Sequence, residues 1–318
     1  MEFSNILIRA TNWVGDAVMS LPAMRAIRQR FPQARITVLA KPSVVDLCPA
    51  DEVILYQGTS YRRIARELQT RNFDCAILFQ NAFEAAWIAW LARIPNRIGY
   101  NRDGRGLLLT QAIKVPEPGE IPPHQRFYYL ELLRRAGWID QLPDCDAIQL
   151  PHSANAKKVI GVSPGAAYGS AKRWLPERFA EAASKLATSR GASVALFGSP
   201  AERPLCDQIA QLIQGPAVTN HAGQTTLAQF IELAATCELF LTNDSGAMHI
   251  ASALGVPTVA IFGATDHIAT GPTGPRARIV REQVECSPCL LRECPIDHRC
   301  MTRVTTERVV EEALQLLD

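Results

Sequence analysis

Short β-rich apolar runs alternate along the chain with helical segments, and this alternation restricts the possible fold more than any other feature. In the first half, strand-like runs at 6–9, 36–39, 53–56, 75–79 and 97–100 alternate with helical segments at 17–30, 61–71 and 83–93. Buried strands separated by helices of about 10 to 15 residues are typical of βαβ units on a parallel sheet. The first half is therefore predicted to be an α/β sandwich.

The alternation of strand-like and helical segments stops between about residues 115 and 152, where prolines surround one helical segment at 124–136. The alternation then restarts, with strands predicted at 159–162, 193–197, 239–241 and 258–262 and helices at 176–189, 201–213, 226–236, 245–254 and 305–317. A chain of 318 residues is longer than one core usually grows. We therefore predict two doubly wound domains, 1–150 and 151–318, whose ligands bind outside the carboxyl ends of the strands.

Charge and cysteine content exclude several classes of protein. The net charge of +2 is too balanced for a chain whose main partner is nucleic acid. The first residues lack the basic and apolar regions of a signal peptide, and the apolar segment 83–91 is too short to span a bilayer. We therefore expect a cytoplasmic protein whose nine cysteines are reduced or bind a metal.

Asp16 follows the first predicted strand, at the turn into the helix predicted at 17–30. A carboxylate at such a turn has two interpretations. It is either the N-cap of the helix, accepting backbone N–H bonds, or a general base that projects into a ligand site.

The loop after the strand at 159–162 is rich in small residues and leads to Lys172 and Arg173, just before a helix that starts at Pro176. Exposed backbone N–H groups, a helix N-terminus and two cations suit a phosphate group. The loop lacks the P-loop pattern, and no GxGxxG follows the first strand of either half. A P-loop ATPase and a dinucleotide-dependent oxidoreductase are therefore disfavoured.

A second candidate phosphate site follows the strand at 239–241. Asp244 and Ser245 lie where the helix at 245–254 begins, and His249 is one turn further along the same face. The alternative is a capped helix with a packed histidine.

These stretches together resemble a known family, the ADP-heptose:lipopolysaccharide heptosyltransferases. The matching residues are 9–18 with 21–23, 163–165 with 172–174, and 242–249 with 255–257 and 262–263. Residues 9–18 and 286–301 look most like the members that add the second heptose. The resemblance implies the GT-B fold, with two Rossmann-like α/β lobes facing across a cleft and an inverting transfer of heptose to the inner core of lipopolysaccharide.

The resemblance also implies roles for individual residues. Asp16 would deprotonate the acceptor hydroxyl, and Lys172 would neutralise the departing diphosphate. The ADP-heptose donor would be bound in lobe 151–318 by Ser163, Lys172, Asp244, Ser245, Gly246 and His249. The lipid-anchored acceptor would be bound in lobe 1–150 by arginines between Arg62 and Arg105, among them Arg97 and Arg102. No metal or other cofactor is expected. Peripheral contact of the protein with the inner membrane is expected, because the acceptor is anchored there.

Several alternatives stay open at this point. Cys286, Cys289, Cys294 and Cys300 have irregular spacing for a zinc site and are expected to form a reduced loop instead. Asp144 and Asp146 match a metal-binding DxD, although no strand precedes them. Trp87 and Trp90 are expected to pack in the core rather than touch lipid. For the function, the alternatives are another GT-B nucleotide-sugar transferase of cell-envelope synthesis, addition of the first heptose, or a binding protein without turnover.

Overall fold

The computed structural model describes residues 2–58, 60–143, 147–152 and 155–318. The chain divides into two compact units, Met1–Cys145 and Asp146–Asp318. Each unit contains a six-stranded sheet within the described residues, and every pair of neighbouring strands in both sheets is parallel. The predicted fold class, two Rossmann-like α/β units of the GT-B type, is confirmed. Asp144 and Asp146 lie outside the described residues.

The first unit alternates strands and helices as its apolar runs predict. Its described strands are β1 (Asn5–Arg9), β2 (Arg35–Ala40), β3 (Glu52–Leu55), β4 (Cys75–Leu78), β5 (Asn96–Tyr100) and β6 (Gln111–Ile113). Its described helices are α1 (Val14–Arg30), α2 (Tyr61–Gln69), α3 (Phe83–Leu91) and α4 (Gln125–Arg135).

The strand order β3-β2-β1-β4-β5-β6 places the winding reversal between β1 and β4. The loops after these two strands therefore diverge at the carboxyl edge of the sheet, which is where such folds bind ligands. The inner faces of α2 and α3 pack in one apolar cluster with residues of the sheet. Helix α1 packs against α4.

The second unit repeats this plan. Its described strands are β7 (Val159–Ser163), β8 (Ser193–Leu196), β9 (Val218–Asn220), β10 (Leu239–Asn243), β11 (Thr258–Phe262) and β12 (Ala277–Arg281). Its described helices are α5 (Pro176–Arg190), α6 (Arg203–Leu212), α7 (Leu227–Ala235), α8 (Gly246–Ala253), α9 (His267–Thr270), α10 (Arg299–Thr302) and α11 (Thr306–Leu317). The order β12-β11-β10-β7-β8-β9 places the reversal between β10 and β7.

The core of this unit lies between its sheet and helices α5 and α11. Trp174 and Phe179 are buried there and meet edge to face, with ring centroids 5.0 Å apart. The Trp174 indole N–H donates to the carbonyl of Val304, 3.0 Å away, so the polar atom of this large side chain is also satisfied. No helix of the described residues is long and apolar enough to cross a membrane.

Candidate active site

Asp16 lies in the first turn of α1, just after the carboxyl end of β1. The helix begins at Val14 and its N-cap residue is Trp13, so Asp16 is the third residue of the helix. The N-cap interpretation of Asp16 is therefore wrong. At this position the positive end of the helix dipole favours the ionised carboxylate.

Tyr129 on α4 orients the Asp16 carboxylate. Its hydroxyl donates a hydrogen bond to Asp16 Oδ1 over 3.3 Å. Tyr129 is only 3% exposed, and burial together with the nearby negative charge of Asp16 raises the pKa of its phenol well above the ordinary value. The phenol therefore keeps its proton and remains a donor. The sequence gives no motif at Tyr129, and only the packing of α4 on α1 reveals the contact.

Arg9 supports the turn that leads to Asp16. Its guanidinium is buried and donates to the carbonyl of Ala10 at 2.6 Å and to Asn12 Oδ1 at 3.1 Å. It also pairs with Glu84 at 3.6 Å and lies over the ring of Tyr56. Burial lowers the pKa of Arg9, but these partners favour its charged form. The arrangement anchors both ends of the turn after β1.

Arg102 follows β5 and thus lies toward the same carboxyl edge as Asp16. A hydrogen bond with Tyr128 raises the pKa of its guanidinium, and Asp103 lies 3.5 Å from it. Tyr128 and Tyr129 are consecutive residues of α4, with ring centroids 5.8 Å apart. One helix therefore contacts both the candidate base and a candidate acceptor-binding cation.

Arg97 lies near the opposite, amino-terminal end of β5, where it pairs in register with Ala76. Its guanidinium donates to the carbonyls of Leu108 at 2.7 Å and Ile94 at 2.5 Å. Its side chain therefore supports local backbone at the edge of the sheet away from Asp16. Arg97 therefore lies at the end of β5 opposite to the one that Arg102 follows.

In the second unit, Lys172 and Asp244 form an ion pair. Lys172 ends a 3₁₀ turn, Ser170–Lys172, in the loop after β7, and Asp244 directly follows β10. Lys172 Nζ lies 2.5 Å from Asp244 Oδ2, and Thr265 Oγ1 donates to the same oxygen over 2.5 Å. The Asp244 side chain is 4% exposed and that of Lys172 is 13% exposed, so little solvent screens the pair.

The other predicted donor-binding residues surround the start of α8. Ser163 is the last residue of β7, Ser245 is the N-cap of α8, and Gly246 is its first residue. Ser245 Oγ lies 3.2 Å from Thr242 Oγ1 rather than capping the helix. His249 is buried one turn into α8. A cation beside an eight-residue helix N-terminus is an arrangement that suits a diphosphate.

Asn243 connects the two loops that carry this pair. It is buried, accepts a hydrogen bond from the Trp174 backbone N–H at 3.0 Å, and donates to the carbonyl of Pro164 at 2.7 Å. Sequence reasoning placed Asn243 inside a motif but assigned it no role. The contact depends on β7 and β10 being neighbours, which the order of elements along the chain does not specify.

Glu202 is a second residue that the sequence did not single out. A Cβ at Gly165 would lie 2.0 Å from Glu202 Oε1, so the carboxylate packs directly against the loop after β7. The other oxygen, Oε2, accepts bonds from the N–H and hydroxyl of Ser199. Glu202 thus presents a fixed carboxylate at the carboxyl end of β8.

The cysteine-rich stretch, residues 286–301, contacts the turn Ser170–Lys172 and the loop before it. Arg292 O accepts from Ala171 N at 3.0 Å, and His298 Nε2 lies 2.9 Å from Ala171 O. Tyr168 donates to Leu290 O at 2.6 Å. Cys286, Cys289, Cys294 and Cys300 are free cysteines, and the described side chains include no metal-binding group of three or more His, Cys, Asp or Glu. That these four cysteines form a reduced loop rather than a zinc site stays a prediction.

Comparison with known proteins connects both units to one family. The profile of glycosyltransferase family 9 (heptosyltransferase) matches residues 61–299. Lipooligosaccharide heptosyltransferase 2 of Campylobacter jejuni is 31% identical over 324 residues, with 98% of each chain covered. Lipopolysaccharide heptosyltransferase 2 of Salmonella typhimurium is 30% identical, again with 98% of each chain covered. The solved structure of E. coli ADP-heptose lps heptosyltransferase II is 29% identical with a TM-score of 0.82, covering 100% of this chain and 98% of that one.

Proposed function

The chain belongs to glycosyltransferase family 9, the heptosyltransferases, and on that premise we propose that it transfers the second heptose from ADP-heptose to the inner core of lipopolysaccharide. The observation that carries the proposal is the end-to-end similarity to relatives named heptosyltransferase 2. Addition of the first heptose is the nearest alternative.

The second unit would bind ADP-heptose. Lys172 and the N-terminus of α8 supply positive charge for the diphosphate, with Ser163, Asp244, Ser245, Gly246 and His249 around the phosphates and the sugar. Glu202 lies after the strand next to β7, a position from which an acidic side chain accepts hydrogen bonds from ribose hydroxyls in doubly wound folds. We therefore add Glu202 to the proposed donor site.

The first unit would bind the acceptor and activate it. As the acceptor oxygen attacks the anomeric carbon of the heptose, Asp16 takes its proton, the bond from that carbon to the diphosphate breaks, and ADP departs with the bonding electrons. Attack from the side opposite the leaving group inverts the anomeric centre. Lys172 stabilises the negative charge that develops on the diphosphate. Tyr129 holds the Asp16 carboxylate in place.

Arg102 is the acceptor-binding cation that the proposal retains, because it lies toward the carboxyl edge and contacts α4. Its planar guanidinium suits the carboxylates and phosphates of an inner-core sugar. Arg97 is not included among the proposed acceptor-binding residues, because its guanidinium donates hydrogen bonds to backbone carbonyls. The proposal also places the protein in the cytoplasm, in peripheral contact with the inner membrane that anchors the acceptor.

A transfer assay with ADP-heptose and two acceptors tests the proposal. One acceptor carries the first heptose and the other lacks it. We expect ADP release and heptose transfer with the heptose-bearing acceptor alone. Transfer to the acceptor that lacks heptose would assign the first addition instead, and release of nucleotide only from a different nucleotide sugar would assign a different donor.

A further inference from the structure

Three aromatic side chains form a row along the outer face of α3. Phe83, Trp87 and Trp90 are four and three residues apart, which places them on one side of the helix. Their rings stack in sequence, with centroids 6.1 Å and then 5.0 Å apart. Phe83 is 47% exposed and Trp90 is 44% exposed, so the expectation that Trp90 packs in the core is wrong.

The inner face of α3 carries smaller residues than the outer one. Ala85, Ala86, Ile88 and Ala89 are buried there against the sheet and α2. An ordinary surface helix turns its largest apolar residues toward the core. Helix α3 does the opposite, and a contiguous exposed aromatic surface is typical of an interaction site rather than of protein facing only water.

Helix α2 adds positive charge to the same outer layer. It packs against α3, and its inner residues Ile64, Ala65 and Leu68 belong to the same apolar cluster, so both helices cover the same core. Its exposed residues include Arg62, Arg63 and Arg66. We call these arginines together with Phe83, Trp87 and Trp90 the aromatic–arginine face.

The nearby carboxylates are engaged with other cations. Glu84, in the first turn of α3, pairs with the buried Arg9 at 3.6 Å. Glu67, on α2, pairs with Arg71 at 3.6 Å. The positive charge of the aromatic–arginine face is therefore not offset by these two acidic side chains.

We infer that the aromatic–arginine face docks on a membrane surface that contains anionic phospholipids. Aromatic rings settle at the level of the lipid headgroups, and arginines are attracted to anionic lipid. Weak apolar insertion combined with a basic cluster supplies the two signals that stable peripheral binding requires. The charge of the face selects anionic over neutral lipid.

The position of the face relative to Asp16 fits this role. Phe83 is the first residue of α3 and follows β4, so it lies toward the carboxyl edge of the sheet, as Asp16 does after the neighbouring β1. Docking by the aromatic–arginine face, whose Phe83 end lies toward this edge, brings the lipid-anchored acceptor toward the proposed base. Only this step rests on the proposed function, because binding to lipid needs no acceptor.

Vesicle co-sedimentation without acceptor tests the inference. Vesicles of phosphatidylglycerol and phosphatidylethanolamine are compared with vesicles of phosphatidylcholine alone. We expect the parent protein to bind the anionic vesicles at low salt, to bind less as salt rises, and to bind the neutral vesicles weakly. Arg62→Gln with Arg66→Gln should weaken binding about 30-fold at low salt. Phe83→Ser with Trp90→Ser should weaken it about 10-fold or more.

Matched variants in the second unit serve as controls. Leu212→Ser on α6 removes an apolar side chain of similar exposure, 42%. Arg276→Gln with Arg278→Gln removes two exposed arginines and the same charge. Both controls should bind like the parent within about twofold, since neither lies on the proposed face. Thermal unfolding monitored by circular dichroism confirms that every variant compared is folded.

Any one of three results would overturn the inference. These are failure of the parent to bind anionic vesicles, binding by the face variants as strong as that of the parent, and a loss of binding in the controls as large as in the face variants. Sedimentation velocity adds a further decisive outcome: if the parent self-associates, the face variants do not, and vesicle binding is unchanged, the face joins two copies of the chain instead.

Transfer assays separate this inference from the proposed function. The folded Phe83→Ser, Trp90→Ser variant should retain transfer to an acceptor oligosaccharide without lipid chains and lose transfer to the lipid-anchored acceptor in vesicles. If the parent protein transfers heptose to neither acceptor, the proposed function is refuted, but the vesicle-binding result still holds.

Discussion

Lys172 Nζ lies 2.5 Å from Asp244 Oδ2, although the two residues are far apart in the chain. They meet because β7 and β10 are adjacent parallel strands whose carboxyl ends lie at the same edge of the second sheet. Asp244 also accepts a hydrogen bond from Thr265 after β11. Three loops are thereby connected beside the N-terminus of α8, where the proposal places the diphosphate.

Lys172→Ala should lower turnover by about 10²-fold or more, the scale of losing one preorganised group that stabilises charge in the transition state. Steady-state transfer kinetics measure this effect. The control is Lys185→Ala, which removes an exposed ion-paired lysine of α5 and should leave turnover unchanged. Normal turnover in Lys172→Ala with weaker acceptor binding would reassign Lys172 to the other substrate.

Tyr129→Phe removes the hydroxyl that donates to Asp16. Turnover should fall about 10-fold, and the acidic limb of the pH–rate profile should move to higher pH, because a hydrogen bond to the ionised carboxylate is lost. Tyr100→Phe is the matched control, since it removes a buried hydroxyl that bonds to a backbone carbonyl of the same helix. An unchanged pH profile in Tyr129→Phe would show that the phenol does not act on Asp16.

Asn243→Ala should destabilise the protein by about 2 to 4 kcal/mol, because it leaves the Trp174 N–H and the Pro164 carbonyl buried without their partner. It should also weaken ADP binding, because the two loops of the proposed donor site lose their connection. Denaturant unfolding and calorimetric titration measure the two effects. Asn220→Ala, at the end of β9, removes an exposed bond to Asp207 and a partly buried bond from the Ala222 N–H, and should cost only about 1 kcal/mol.

Activity should survive treatment with EDTA, because the proposal assigns the charge of the leaving diphosphate to Lys172 and the N-terminus of α8. In the cysteine-rich stretch, the Arg292 carbonyl and the His298 ring contact Ala171 beside Lys172. The measurement is turnover before and after chelation. Loss of turnover that zinc or magnesium restores would contradict the metal-free mechanism.

The central strands were predictable because their apolar runs are fully buried. β1, β4, β7 and β10 are flanked on both sides by other strands, and nearly every one of their residues is buried. Three strands were missed: β6, β9 and β12. They lie at the sheet edges and carry polar or half-exposed residues, so their composition resembles that of a loop.

For the candidate site, the sequence indicated residues in the segments that follow strands, such as Asp16 and Asp244. It assigned no role to Tyr129 or Asn243, whose roles depend on contacts between distant segments of the chain. The predicted core position of Trp90 was also wrong. The alanines of α3 fill the space against the sheet, so the Trp90 indole lies on the outer face of the helix. Apolar character alone does not tell which face of a helix packs inward.

The role of Asp16 is the central claim, and Asp16→Asn tests it most directly. The variant keeps the size of the side chain and an oxygen that accepts from Tyr129, but it cannot take the acceptor proton. We expect a folded protein that binds ADP-heptose and turns over about 10² to 10⁴ times more slowly than the parent. Asp51→Asn, which alters a carboxylate at the amino end of β2, is the control and should transfer heptose normally. Transfer by Asp16→Asn at more than about a tenth of the parent rate would contradict the account, since it excludes even the lower end of a general-base effect.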